Sequence, residues 1–156
     1  MAELRTCVED AGFEDVSTHI QTGNVLLRTS MRSAEKVARA LEKVVEADLG
    51  FRTAVMVRTA AQLTAALDER PFPDADETAL HIAFLREKPP AARVKALVAP
   101  EGPDDLVVVG REVYLHYPDG QGRSKLTGAL IEKALGVPAT ARRRSVVEKL
   151  RDLLEA

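Results

Sequence analysis

Apolar positions change period along the chain, and the changes mark its elements. Leu4, Val8 and Ala11 recur at spacings of three and four, which predicts a helix over residues 2–11 stopped at Gly12. Val16 to Ile20 and Val25 to Arg28 read as strands joined around Gln21-Thr22-Gly23-Asn24, where Gly and Asn tolerate the positive φ of a tight hairpin turn. Ser33 caps a helix running to about Leu49, with Val37, Leu41, Val44, Val45 and Leu49 on one face and Gly50 as its stop. Thr53 to Arg58 reads as a β-branched strand. Thr59 then caps a short helix holding Leu63, Ala66 and Leu67, ended by Pro71 and Pro73.

The acidic loop Asp74-Ala75-Asp76-Glu77 divides the chain into halves 1–73 and 74–156, expected to form one compact unit. Leu80 to Leu85 reads as a strand. Pro89-Pro90 opens a helix carrying Val94, Leu97 and Val98. Leu106 to Val109 and Glu112 to Tyr117 pair as a hairpin about Gly110-Arg111. Leu126, Leu130, Ile131 and Ala134 mark a helix closed by Gly136 and Pro138. Val146, Val147, Leu150 and Leu153 mark the last one, with Ser145 and Glu148 at capping-box spacing.

In order, the first half reads α-β-β-α-β and the second β-α-β-β-α with an extra C-terminal helix. Each is one strand short of the split βαβ order, so the expected fold is α+β with two ferredoxin-like halves. The first half lacks its opening strand, which lies in the sheet interior in that topology. Each buried peptide group left unpaired by such a gap costs about 1–3 kcal/mol. The expectation is therefore that the protein starts upstream of Met1 or that another chain fills the gap. The second half is expected to borrow or omit its last strand.

Composition narrows the function classes. Aromatic residues make up 4% of the chain and Trp is absent, so the core is built of Leu, Val and Ala, and stacking platforms for bases are scarce. The formal net charge is −2, but residues 111–156 hold nine basic and six acidic residues, an excess of three positive charges that favours an anionic partner over that stretch. Cys7 is the lone cysteine, which rules out an internal disulfide and fits a reducing, cytoplasmic setting. Among Leu4, Val8 and Ala11 it reads as a small buried hydrophobe. No spanning apolar run or signal peptide appears, so no membrane partner is expected. His19 and His81 lie in strands without acids or thiols at ligand spacing, so no metal and no cofactor is implied.

The candidate chemistry centres on Tyr114 to Leu126, read as a strand, a glycine-containing loop and the first turn of a helix. A helix N-terminus presents unsatisfied N–H groups and about half a positive charge. Gly120 and Gly122 let a phosphate approach the backbone, Arg123 and Lys125 add charge, and Ser124 adds a hydroxyl. The spacing is not that of a P-loop. The same residues also read as a plain turn, with Ser124 capping the helix and the cations solvated. Tyr114 and His116 share a sheet face and are expected to orient a ligand if that face opens beside the loop. Gln21 and Asn24 present amides at a strand end, suited to a ligand or to the turn itself. Arg142-Arg143-Arg144 is a basic run at a helix start, the end of the dipole that disfavours cations.

Three partners are thus in view. A phosphate-bearing metabolite or nucleotide would bind the loop, a nucleic acid would use the loop with Arg142 to Arg144, and a homo-oligomer would cover the incomplete sheet. No nucleophile with an identifiable base is present, so the sequence assigns no catalytic residue.

Thr18-His19-Ile20-Gln21-Thr22-Gly23-Asn24-Val25 resembles a T-x-I-Q-S-G-N-V signature, and Val57-Arg58-Thr59 matches a V-R-T element. The run G-R-E-V-Y-L-H-Y-P-D-G from Gly110, followed by Gly122-Arg123-Ser124-Lys125-Leu126, matches a third and more specific motif. By these motifs the chain resembles, along essentially its whole length, the bacterial domain-of-unknown-function family numbered 1697. The resemblance implies kinship and no activity. It also implies a strand and loop reading L-L-R-G-I-N-V-G-G ahead of the first helix, in agreement with the missing strand. Members tend to carry Asn-Trp near the start of the last helix, where this chain has Arg143 and Arg144.

Overall fold

The structure is a computed structural model in which residues 2–19 and 23–156 are described. It is an α+β chain of two compact units, one ending at Arg58 and the other spanning Thr59–Glu155.

The first unit holds α1 (Ala2–Asp10), β1 (Glu14–His19), β2 (Asn24–Arg28) and α2 (Ala34–Leu49). Its core is a cluster of Val8, Phe13, Val16, Val37 and Leu41, of which Val8, Val37 and Leu41 were expected on apolar helix faces and Phe13 was not expected from spacing. Ser33 caps α2 by accepting from the Lys36 N–H, and Gly50 ends it at φ +78°, where a side chain would be strained. β1 and β2 pair antiparallel with a register shift between Glu14 and Ser17. Asp15 absorbs that irregularity at φ +49°. The hairpin turn predicted at Gln21 and Thr22 falls outside the described residues.

Thr53 to Arg58, expected to be a strand, forms none. The valines are placed as predicted, since Val55 and Val57 pack half-buried against the core cluster. A strand is defined by its ladder, however, and among the described residues β2 pairs only with β1. The Val55 N–H instead donates to Glu42 Oε2 of α2 at 2.9 Å.

The second unit runs α3 (Ala60–Asp68), a 3₁₀ turn (Glu77–Ala79), β3 (Leu80–Leu85), α4 (Ala91–Ala96), β4 (Asp105–Val109), β5 (Glu112–His116), α5 (Gly128–Leu135), β6 (Ala139–Arg143) and α6 (Arg144–Glu155). Its strands form one antiparallel sheet in the order β4-β5-β3-β6. The last strand, expected to be borrowed or omitted, is therefore supplied by the chain itself as β6. Its sequence, Ala-Thr-Ala-Arg-Arg, carries one β-branched residue, so local propensity gives no strand signal. Pairing with β3 creates it.

Residues on β3 and β5 alternate between two covered faces. Ala83, Leu85, Val113, Leu115 and Tyr117 pack with Leu126, Ile131 and Leu135 at and before α5. On the other face, the Tyr114 hydroxyl donates to the Ala66 carbonyl of α3 at 2.7 Å. α3 packs on α6, so this helix, read with the first half from the sequence, belongs to the second unit.

Candidate functional site

The loop from Tyr117 to Thr127 is fixed by its own hydrogen bonds. Tyr117 is buried, and its hydroxyl donates to the Leu126 carbonyl at 2.8 Å, joining the loop's two ends. Burial first, and Asp104 second, push the Tyr117 pKa up to about 12, so it remains a donor throughout the neutral range. Gly120 turns the chain at φ +85° and its N–H donates to the Tyr117 carbonyl. The Ser124 hydroxyl donates to Asp104 Oδ2 at 2.6 Å and accepts from the Leu126 N–H at 2.9 Å.

That arrangement corrects the helix start. α5 begins at Gly128, and its N-cap is Thr127, whose side chain accepts from the Leu130 N–H. Arg123, Ser124 and Lys125 stand in a turn before the helix and not in its first turn. A serine hydroxyl that accepts from the N–H two residues on makes a local turn that competes with helix. Both of its hydrogen-bonding roles are met within the protein.

The backbone N–H groups divide into two sets. Those of Gly120, Ser124, Leu126 and Thr127 are bonded inside the loop. Those of Gly122, Arg123 and Lys125 make no hydrogen bond to any described residue. The Arg123 and Lys125 side chains are exposed, and among the described residues neither has an ion-pair or hydrogen-bond partner.

Tyr114 and His116 do share a face, as expected, but not beside this loop. Leu80 pairs with His116 and Ile82 with Tyr114, which puts both side chains on the α3 side of the sheet, opposite α5. The Tyr114 hydroxyl is committed to Ala66, and its pKa is raised by burial, with Glu112 and Glu69 adding to the shift. The His116 ring rests on Phe72 with centroids 5.4 Å apart. Nearby lies a cavity of about 20 Å³ whose walls include Phe72, Leu80, Ile82, Tyr114 and Arg144. That is room for roughly one water molecule.

The remaining candidates are scattered. Asn24 is buried and its Nδ2 donates to the His19 carbonyl at 3.1 Å, bracing the hairpin of the first unit. Gln21 lies outside the described residues. Arg142 and Arg143 alternate along β6 onto opposite sheet faces. Arg142 donates to Thr140 Oγ1 and the Ala141 carbonyl, whereas Arg144 is buried and donates through Nη2 to the Leu67 carbonyl at 2.8 Å. The triple arginine therefore makes no continuous basic surface. His81 is buried with its ring edge-on to Tyr117 at 5.0 Å, and its pKa is lowered by burial and then by Arg143. Cys7 is half-buried, and burial and Asp48 raise its pKa, which disfavours a thiolate nucleophile.

Sequence reasoning missed Asp104, whose carboxylate anchors Ser124 from 20 residues away, and no local pattern signals such a pair. It also missed that Arg144 is structural. Among the described residues no group of His, Cys, Asp and Glu could hold a metal ion, and no helix is long and apolar enough to cross a membrane.

A family model described as "Protein of unknown function (DUF1697)" matches residues 1–114, ending just before the loop. No curated protein matches the sequence. A solved structure of a conserved bacterial protein from Streptococcus pneumoniae is similar, with a TM-score of 0.71 and 20% identity over 100% of this chain and 89% of that one. At that identity the likeness is one of fold.

Proposed function

The chain belongs to the DUF1697 family of proteins of unknown function, and from that premise we propose that this member binds a phosphate-bearing small molecule at the loop from Gly120 to Lys125. The observation that carries the reading is the pairing of unbonded N–H groups at Gly122, Arg123 and Lys125 with two exposed cations that have no partner among the described residues. A tetrahedral anion has enough acceptor oxygens to take amides and charged side chains together. The Ser124–Asp104 hydrogen bond and the Tyr117–Leu126 bond hold the loop before any ligand arrives, which lowers the ordering cost of binding.

In this reading each group of the loop has a role. Arg123 and Lys125 neutralise charge, the three amides give direction, and Gly120 and Gly122 keep side chains out of the approach. Ser124 shapes the loop and does not touch ligand. Tyr114, His116, Gln21 and Asn24 are not part of this reading. With the ligand held by exposed groups, affinity is expected on the order of 1 mM for inorganic phosphate, about 4 kcal/mol. A ligand with a second point of contact would bind more tightly. The reading has the β4-β5-β3-β6 sheet as a ferredoxin-like platform that carries the loop at a strand end.

Calorimetric titration with inorganic phosphate and ADP tests the reading. Binding should weaken at least tenfold in Arg123→Ala/Lys125→Ala and should decline with ionic strength. Equal affinity in the wild type and the double variant would refute it.

A further inference from the structure

Strand alternation leaves one arginine of the triple run on the loop's side of the sheet. Ala139 and Ala141 of β6 pack into the cluster that α5 covers, so Arg143, two residues on, directs its side chain to that same face. Arg142 falls on the other face with Thr140, and Arg144 reaches the Leu67 carbonyl of α3 there. Arg143 is exposed, and among the described residues it has no ion-pair or hydrogen-bond partner.

Two residues join Arg143 to the loop. β3 lies between β5 and β6, and His81 pairs with Leu115 on one side and Arg143 on the other, so its ring shares the α5 face with them. That ring is edge-on to Tyr117 with centroids 5.0 Å apart, and the Tyr117 hydroxyl donates to the Leu126 carbonyl, next to Lys125. The row runs Arg143, His81, Tyr117, loop. His81 is buried, and among the described residues its Nδ1 has no hydrogen-bond partner, an unfavourable state for a buried nitrogen. Burial first and the Arg143 charge second lower the His81 pKa, so an uncompensated positive charge acts on the ring. An anion at Arg143 relieves that charge.

We propose that the loop and Arg143 together take two linked phosphate groups, a diphosphate either free or carried by a nucleoside, with one phosphate on the loop and the other on Arg143. The inference rests on the phosphate reading of the loop and extends it along the sheet. Distance decides the kind of anion. β5 and β6 flank β3, so their backbones stand roughly 10 Å apart, two spacings of about 4.8 Å. A lone phosphate on the loop gathers all its oxygens around one phosphorus there. A second phosphate bonded to the first carries charge along the row towards Arg143, whose planar fork suits two phosphate oxygens.

Calorimetry of the full chain at fixed ionic strength compares inorganic phosphate with pyrophosphate, and AMP with ADP, in the wild type, Arg143→Ala and Lys149→Ala. Lys149 is an exposed cation of α6, the helix that packs with α3, so its removal changes net charge away from the row. Pyrophosphate should bind about tenfold tighter than phosphate. Arg143→Ala should remove most of that advantage and leave the affinity for inorganic phosphate unchanged, while Lys149→Ala alters neither. Arg143→Gln, which keeps the side-chain stem over the sheet, gives the same reading if the alanine variant loses its fold. A matching Arg143-dependent gain of ADP over AMP assigns the diphosphate to a nucleotide, and a gain confined to pyrophosphate assigns it to the free anion; each upholds the proposal. No advantage in the wild type, an advantage that survives in Arg143→Ala, or one lost equally in Lys149→Ala would overturn it. The loop reading stands in those cases as long as Arg123→Ala/Lys125→Ala weakens both anions. Binding of either anion that ignores this double variant would overturn the loop reading and the proposal with it.

Discussion

Ser124 sits in the candidate loop, and the structure shows what its hydroxyl already bonds. Its position among Gly122, Arg123 and Lys125 suggests a ligand donor, yet its hydroxyl is spent on Asp104 and the Leu126 amide. Local spacing cannot reveal a partner 20 residues distant, so the distinction was out of reach from sequence. Asp104 brings a negative charge to a loop proposed to hold an anion. Asp104→Asn keeps an acceptor for Ser124 and removes that charge, so phosphate affinity should rise several-fold at low salt, as read by calorimetry. His81 gives a second prediction at this scale. Its folded pKa lies below the unfolded value of about 6.5, so the unfolded chain binds the extra proton first as pH falls. Stability from this residue is complete above about pH 6.5 and is lost as pH drops from there through the folded pKa. Urea unfolding between pH 7.5 and 5 should show that decline, and His81→Leu should flatten it. A slope unchanged by the substitution would assign the decline to other groups.

At the level of elements, residue patterning worked where side chains alone decide and failed where pairing decides. The apolar faces of α2, α3 and α5 were legible because helix hydrogen bonds are local and burial follows the 3.6-residue period. The caps at Ser33 and Thr59 were legible for the same reason. β6 escaped notice because Ala139 to Arg143 becomes a strand through its ladder with β3. Residues 53–58 show the converse, since valines with strand propensity form no strand without a neighbour. The C-terminus of α5 is a place where the local rule has a measurable cost. Gly136 stands at φ +74°, and a Cβ there would meet the Arg93 guanidinium carbon at 3.1 Å. Gly136→Ala should destabilise the protein by about 1–2 kcal/mol, from left-handed backbone strain and displacement of Arg93 from the Lys133 carbonyl. Chemical denaturation would read this directly, and a neutral result would mean that the turn relaxes without strain.

For the molecule as a whole, α+β class and family membership were legible, the family through motifs that a fold alone could not provide. The division of the chain follows contacts that sequence order hides, because α3 joins the second unit by packing on α6. The candidate site was legible as a segment but not as a constellation. Strand alternation puts Tyr114 and His116 on the opposite sheet face from α5, and it separates Arg142 from Arg143. What stays together is the loop itself, three unbonded amides and two cations.

The most direct measurement of that claim is a ¹H–¹⁵N titration of the full chain with inorganic phosphate at low ionic strength. The account predicts saturable shifts at the Gly122, Arg123 and Lys125 amides, none comparable at Gly120 and Ser124, and their disappearance in Arg123→Ala/Lys125→Ala. Saturable shifts centred elsewhere, or no response at these three amides at tens of millimolar phosphate, would contradict it.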